Sequence, residues 1–108
     1  PTEVSPQEVK RMLDAGEPVH LVDVREPHEH QTARIESAEL IPMRAVPHQL
    51  AALQQKAATA PLVIFCHHGV RSLQTVSWLR RQGVERCHSM SGGIDAWSAS
   101  IDPEVPRY

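Results

Sequence analysis

Apolar residues follow two rhythms along this chain, helical spacing in some stretches and short strand-like runs in others. Ser5-Pro6-Gln7-Glu8 forms a capping box with proline at the first helical position, and Val9, Met12 and Leu13 recur at helical spacing until Gly16. Residues 19–24 are a short β-type run. The charged stretch Arg25-Glu26-Pro27-His28-Glu29-His30 follows, and because Pro27 opposes continuation of a strand, it is expected to be a polar loop. Residues 38–41 form a second candidate strand, halted by Pro42, and residues 47–58 place Leu50, Leu53 and Ala57 on one face of a second helix. Pro61-Leu62-Val63-Ile64-Phe65 is apolar without interruption, as a parallel strand buried on both faces must be. Leu73, Val76, Trp78 and Leu79 then give a helix over 73–82 a wide apolar side, with Gly83 placed to close it. Residues 84–90 read as a last strand, Ser91-Gly92-Gly93 allows an unusual backbone path, and 94–99, carrying Trp97, predicts a short final helix. Strands alternating with helices define an α/β class with a parallel sheet covered on both faces.

Composition narrows the function classes. A length of 108 residues predicts one domain over 1–108 with one core. The net charge of -2 and the scatter of 11 Lys and Arg give no basic patch, so nucleic acid is not an expected partner. No apolar run approaches a membrane span, and no charged segment followed by an apolar one opens the chain; the expectation is a soluble, cytoplasmic protein with no membrane partner. The two cysteines, Cys66 and Cys87, form no Cys-x-x-Cys pair, which fits a reducing compartment where a free thiol can serve chemistry.

The candidate chemistry lies where the buried run ends, at Cys66-His67-His68-Gly69-Val70-Arg71-Ser72. A cysteine reacts as its thiolate. Loop N–H groups converging in a nest, the N-terminus of the following helix, and the charge of Arg71 brought back toward the sulfur would all favour that anion. Gly69 permits the torsions that let the loop curl, and Ser72 is a candidate helix cap. The plain alternative is a buried strand cysteine beside an incidental arginine. Strand end, interior glycine, arginine and helix start occurring together favour an anion site instead.

These residues carry a family resemblance. Cys66-x-x-Gly69-x-Arg71-Ser72 is similar to the active-site loop of rhodanese-type sulfurtransferases. Leu21-Val22-Asp23-Val24-Arg25-Glu26, Leu40-Ile41-Pro42 and Ser91-Gly92-Gly93-Ile94-Asp95-Ala96-Trp97 resemble the family's other signatures in the expected order. The resemblance implies a rhodanese-like fold, a five-stranded, mostly parallel sheet with helices on both faces. It also implies a thiosulfate sulfurtransferase in which Cys66 takes a sulfane sulfur, holds it as a persulfide and passes it to cyanide or a thiol. The loop amides from His67 to Arg71 would stabilise the terminal sulfur, with His67, His68, Gly69, Val70 and Ser72 forming the substrate loop and Arg71 orienting the donor's anionic end. Asp23, Arg25, Gly92 and Gly93 are assigned supporting roles, although Asp23 alone is as well explained by satisfying local backbone donors. Related phosphatases and arsenate reductases carry one more residue between cysteine and arginine; the shorter loop here suits a single sulfur.

The resemblance implies no organic cofactor and no metal. His28-x-His30 and His67-His68 invite a metal reading, but neither pair has further ligands at a suitable spacing. Histidines change charge near neutral pH, so His67 and His68 would make the pocket's attraction for thiosulfate pH-dependent. Ala33-Arg34-Ile35-Glu36-Ser37 departs from the Gly-His-Ile-Pro-Gly of many relatives, so that turn is expected to differ. Cys87 is expected in the core, with a resolving thiol as its rival role; Trp78 and Trp97 are expected to be core anchors, Trp97 with a second possibility of bordering the pocket. Two other function classes stay open. One is a relay module that accepts sulfur from a protein donor and passes it to a protein acceptor, as in rhodanese domains fused to adenylyltransferases, which the loop and the ending Asp102-Pro103-Glu104-Val105-Pro106-Arg107-Tyr108 resemble. The other is an idle regulatory domain, which the intact cysteine and arginine oppose.

Overall fold

A computed structural model describes residues 1–108. The strands are β1 (Glu3–Val4), β2 (His20–Asp23), β3 (Glu39–Leu40), β4 (Leu62–Phe65) and β5 (Cys87–Met90), ordered β1-β5-β4-β2-β3 in one sheet. Every pairing is parallel, so the expected five-stranded sheet is parallel throughout. In the central strand, Leu62 lies between His20 and Cys87, and Ile64 between Val22 and Ser89. The helices are α1 (Pro6–Asp14), α2 (Pro27–Thr32), α3 (Leu50–Thr59), α4 (Val70–Arg81) and α5 (Gly93–Ser100). No helix is long and apolar enough to cross a membrane.

Successive strand side chains point to opposite faces, and the sheet has a core on each. Leu62, Ile64 and Cys66, with Val22 and Val24, pack with Leu53 and Ala57 of α3 and Val76 and Leu79 of α4. Val63 and Phe65, with Leu21, pack with Val9 of α1 and Ile94 and Trp97 of α5. Burial on both faces explains why β4 reads as an unbroken apolar run. Trp97 and Cys87 are core residues, and Trp78 packs against the first core from its margin. The neighbouring strands β4 and β5 send their following helices to opposite faces of the sheet. The crevice this opens at their C-terminal ends is where open α/β sheets bind ligands.

Several boundaries differ from the sequence reading. Residues 25–30 are not a loop, because Pro27 opens α2 from the N1 position, where its missing N–H costs nothing, and Glu26 and Glu29 form the capping box. The last strand spans only four residues, since Val84 turns into the core behind the positive-φ Gly83 that does close α4. Residues 43–49 form a 3-10 turn, with Pro47 inside it, before α3 begins. The two-residue β1 carries too short a pattern to be read as a strand. In the turn at 33–37, Ala33 and Ile35 are buried while Arg34, Glu36 and Ser37 face solvent.

The register also removes the resolving-thiol role for Cys87. Its strand partner is Leu62, at the start of β4, whereas Cys66 follows the end of that strand. Four residues of strand separate the two positions by about 13 Å, well beyond the roughly 4.4–6.8 Å between α-carbons that a disulfide needs. Ile64 is fully buried at the sheet centre, so Ile64→Ala is expected to cost about 2–5 kcal/mol, read as a lower midpoint in urea unfolding.

Candidate active site

Cys66 follows β4 directly, and its loop turns into α4 at Gly69, whose φ of 112° only glycine adopts readily. This turn brings two backbone donors onto one sulfur: the Gly69 N–H lies 3.1 Å and the Ser72 N–H 3.3 Å from Cys66 Sγ. The Cys66 thiol in turn reaches Ser72 Oγ at 3.4 Å, and that hydroxyl donates to the Gly69 carbonyl and shares a 2.7 Å bond with Ser89 Oγ. Ser72 therefore does not cap α4. It sits fully buried in the first turn and braces the loop from within.

The opposite side of the loop is pinned by α5. Ile94 N–H donates to the Cys66 carbonyl at 2.9 Å and Asp95 N–H to the His67 carbonyl at 3.1 Å. These contacts require the backbone of Gly93 to lie against the loop: a Cβ there would fall 2.4 Å from the His67 oxygen and 2.5 Å from the Cys66 oxygen. Gly92, in a left-handed conformation, is the N-cap residue of α5. The glycine pair thus has a definite place, letting the start of α5 approach the two carbonyls that Ile94 and Asp95 bind. Val70, the first residue of α4, is exposed beside the loop.

Arg71 lies close enough to Cys66 for the two charges to interact, and it is anchored by a carboxylate. Its guanidinium forks onto Glu29, Nη1 to Oε1 at 2.7 Å and Nη2 to Oε2 at 2.9 Å, and makes no hydrogen bond to Cys66 Sγ. The fork holds the Glu29 carboxyl far below the usual carboxylate range, against the opposing effect of burial, and raises Arg71 in turn. Behind this pair, Asp23 and Arg25 are fully buried and doubly bonded, Nε to Oδ1 at 2.9 Å and Nη2 to Oδ2 at 2.8 Å. Asp23 also accepts the Arg25 N–H, so it serves both its local backbone and the guanidinium. Arg25 Nη2 additionally donates to the Ala33 carbonyl at 2.6 Å. Arg25 Nη1 reaches Tyr108 Oη at 2.9 Å, which links this buried pair to Glu29 and Arg71.

The histidines divide. His30 is drawn to Asp23 at 3.3 Å, and His28 is exposed on α2. His67 stacks between His68 (centroids 3.9 Å) and Tyr108 (3.8 Å, planes 5° apart), and its Nε2 is buried without a partner. Burial first, and then the neighbouring His68, hold His67 below the ordinary histidine range, so it is neutral at pH 7 and adds no charge to the pocket. The fold brings Asp95 to the histidine pair, their ligand atoms lying within 4.8 Å of one another, but both Asp95 oxygens already accept from Arg107. Glu29, Ser89 and Tyr108 escaped the sequence reading. The Glu26-Pro27-His28-Glu29 capping pattern is the signal for Glu29, Tyr108 lies in the ending 102–108 that carries a family resemblance but no site role, and nothing local marks Ser89.

The chain matches the Rhodanese-like domain family model over residues 5–100, and it belongs to that family of sulfurtransferases. It is 32% identical over 104 residues to thiosulfate sulfurtransferase GlpE of Pseudoalteromonas translucida, covering 96% of this chain and 95% of that one. It is 35% identical over 106 residues to the adenylyltransferase and sulfurtransferase MOCS3-2 of Zea mays, covering 94% of this chain. The chain spans only 22% to 26% of the length of the Zea mays and Mycobacterium tuberculosis adenylyltransferase/sulfurtransferases it matches. Among solved structures, the human single-domain sulfurtransferase TSTD1 aligns with a TM-score of 0.78 at 29% identity, over 93% of this chain and 97% of that one.

Two measurements check this geometry. Gly93→Ala is expected to destabilise the fold by about 1–3 kcal/mol in urea unfolding, because the positive φ and the two carbonyls both oppose a Cβ. The depressed Glu29 pKa stabilises the folded state fully above the unfolded glutamate value of about 4.3, and this contribution drains as the pH falls toward the folded value. Glu29→Gln should lose about 1.5–3 kcal/mol at pH 7, the usual worth of hydrogen bonds to charged groups, and flatten the acid limb of stability measured from pH 7 to 2.

Proposed function

We propose that this chain transfers a sulfane sulfur from thiosulfate or a related donor to a thiophilic acceptor, cyanide or a thiol, through a persulfide on Cys66. The observation that carries the reading is the pair of N–H donors converging on Cys66 Sγ, from Gly69 at 3.1 Å and Ser72 at 3.3 Å, in a loop with four residues between Cys66 and Arg71. Such donors solvate an anionic sulfur and cost no reorganisation when charge develops. The Cys66 thiolate attacks the outer sulfur of thiosulfate, the S–S bond breaks, and sulfite leaves with the electron pair. Cyanide then attacks the terminal sulfur of the persulfide, thiocyanate departs, and the thiolate returns. Arg71 has five N–H donors and spends two on Glu29, so three stay free for the donor's anionic end. The four residues between Cys66 and Arg71 make the shorter form of this loop, which suits one sulfur held on Cys66 over a bound tetrahedral oxyanion.

A second reading has its own support in the relatives that join an adenylyltransferase to a sulfurtransferase. In it the same Cys66 persulfide is filled by a protein donor and emptied onto a protein acceptor. Comparing turnover on thiosulfate and cyanide with transfer from a sulfur-loaded protein separates the two.

Intact-mass analysis after incubation with thiosulfate is the direct test. A gain of one sulfur atom, removed by cyanide and absent in Cys66→Ser, is the expected result. No adduct with thiosulfate or with a loaded protein donor would overturn the persulfide reading, as would hydrolysis of an aryl phosphate abolished by Cys66→Ser without any sulfur transfer.

A further inference from the structure

Tyr108, the only tyrosine of the chain, lies at the far end of the sequence from Glu29, yet it joins three parts of the site. Its hydroxyl accepts from Arg25 Nη1 at 2.9 Å and donates to Glu29 Oε2 at 2.7 Å. The direction is fixed by chemistry, because a guanidinium can only donate and a carboxylate can only accept. With that bond the Glu29 carboxylate has four donors: Arg71 twice, the Glu26 N–H at 3.0 Å, and Tyr108. The tyrosine ring lies flat on His67, the residue after Cys66, and covers the side of the loop where His67 Nε2 is buried.

We propose that Tyr108 is a positioning residue of this site, its hydroxyl locking the Glu29 carboxylate that aims Arg71 and its ring sealing His67 against the cysteine loop. The inference rests on the sulfur-transfer reading for its effect on donor binding. Without the hydroxyl, Glu29 Oε2 loses its only anchor besides Arg71, and the carboxylate and its guanidinium can turn together toward water. Donor affinity then falls while the discharge of a persulfide already formed is untouched. Burial, with Glu29 adding to it and Arg25 opposing, pushes the Tyr108 phenol up to about 12, so the hydroxyl keeps its proton and the lock holds throughout the neutral range.

The ring has a separate role that can be read at His67. The groups that act on that imidazole are His68 in its own loop, Asp95 of α5 with its partner Arg107, Glu29 of α2 with its partner Arg71, and the Tyr108 main chain, which favours the charged form and is kept in both variants. Burial is the largest cause that keeps His67 neutral, and the tyrosine ring supplies cover on one face.

Tyr108→Phe keeps the stack and removes only the hydroxyl, and Tyr108→Ala removes both. In Tyr108→Phe the KM for thiosulfate is expected to rise about three- to tenfold, with the rate of persulfide discharge to cyanide within twofold of the parent, as fits an indirect effect of the size of one ordinary net hydrogen bond. The Arg71 Nε–H resonance, followed by NMR without any substrate, is expected to exchange faster with water in both variants. The His67 titration midpoint should stay at the parent value in Tyr108→Phe and move up in Tyr108→Ala. A parental KM together with unchanged Arg71 exchange in Tyr108→Phe would overturn the hydroxyl's role, and an unmoved His67 midpoint in a folded Tyr108→Ala would overturn the ring's. If the parent takes no sulfur from any donor, the sulfur-transfer reading fails, while the two NMR measurements still decide the positioning role.

Discussion

The site depends on one backbone contact, the seating of the α5 N-terminus against the peptides of Cys66 and His67. Helix N-terminal N–H groups need acceptors, and loop carbonyls need donors. Ile94 and Asp95 meet both needs with two hydrogen bonds. A peptide whose carbonyl is held is restrained in rotation, which leaves the opposite rim of the loop free to gather N–H groups. Gly93 makes the approach possible because any Cβ would occupy the space of those oxygens. The sheet order supplies the meeting point, since only strands side by side with helices leaving to opposite faces bring one helix start beneath the loop that opens another.

Charge is organised in a second layer behind this one. The chain runs Asp23, Arg25, Tyr108, Glu29, Arg71 from the fully buried floor to the half-exposed rim. Each buried charge faces an opposite one, as low-dielectric surroundings demand. The arginine that reaches solvent is therefore held by a carboxylate rather than by the sulfur, and its positive charge reaches the pocket with its direction already set.

The elements that were legible in the sequence are those whose physics is local. The unbroken run of β4, the capping box of α1, the glycine that closes α4 and the cysteine-to-arginine loop all announce themselves within a few residues. The helix α2 was hidden because its six residues, Pro27 to Thr32, are polar, and proline opposes a strand as surely as it opens a helix. The anchor of Arg71 is illegible because Glu29 lies 42 positions away in sequence, and only the folded chain brings the two together. Tyr108 was illegible for the same reason, being joined to Glu29 across 79 positions. Sequence patterns showed which residues carry the chemistry, and long-range packing decided which of them touch.

The strand register has a consequence for how the molecule ages. Cys87 is walled into the core at the opposite end of β4 from Cys66, and burial pushes its thiol up, away from reactivity. A Cys66 sulfur oxidised by peroxide to a sulfenic acid thus cannot close upon Cys87. The reversible rung of the oxidation ladder then has to be secured by a thiol other than Cys87 or by a neighbouring backbone nitrogen. The same register that keeps Cys87 inert in the core leaves rescue of an oxidised Cys66 to whatever partner of the sulfur brings the next thiol.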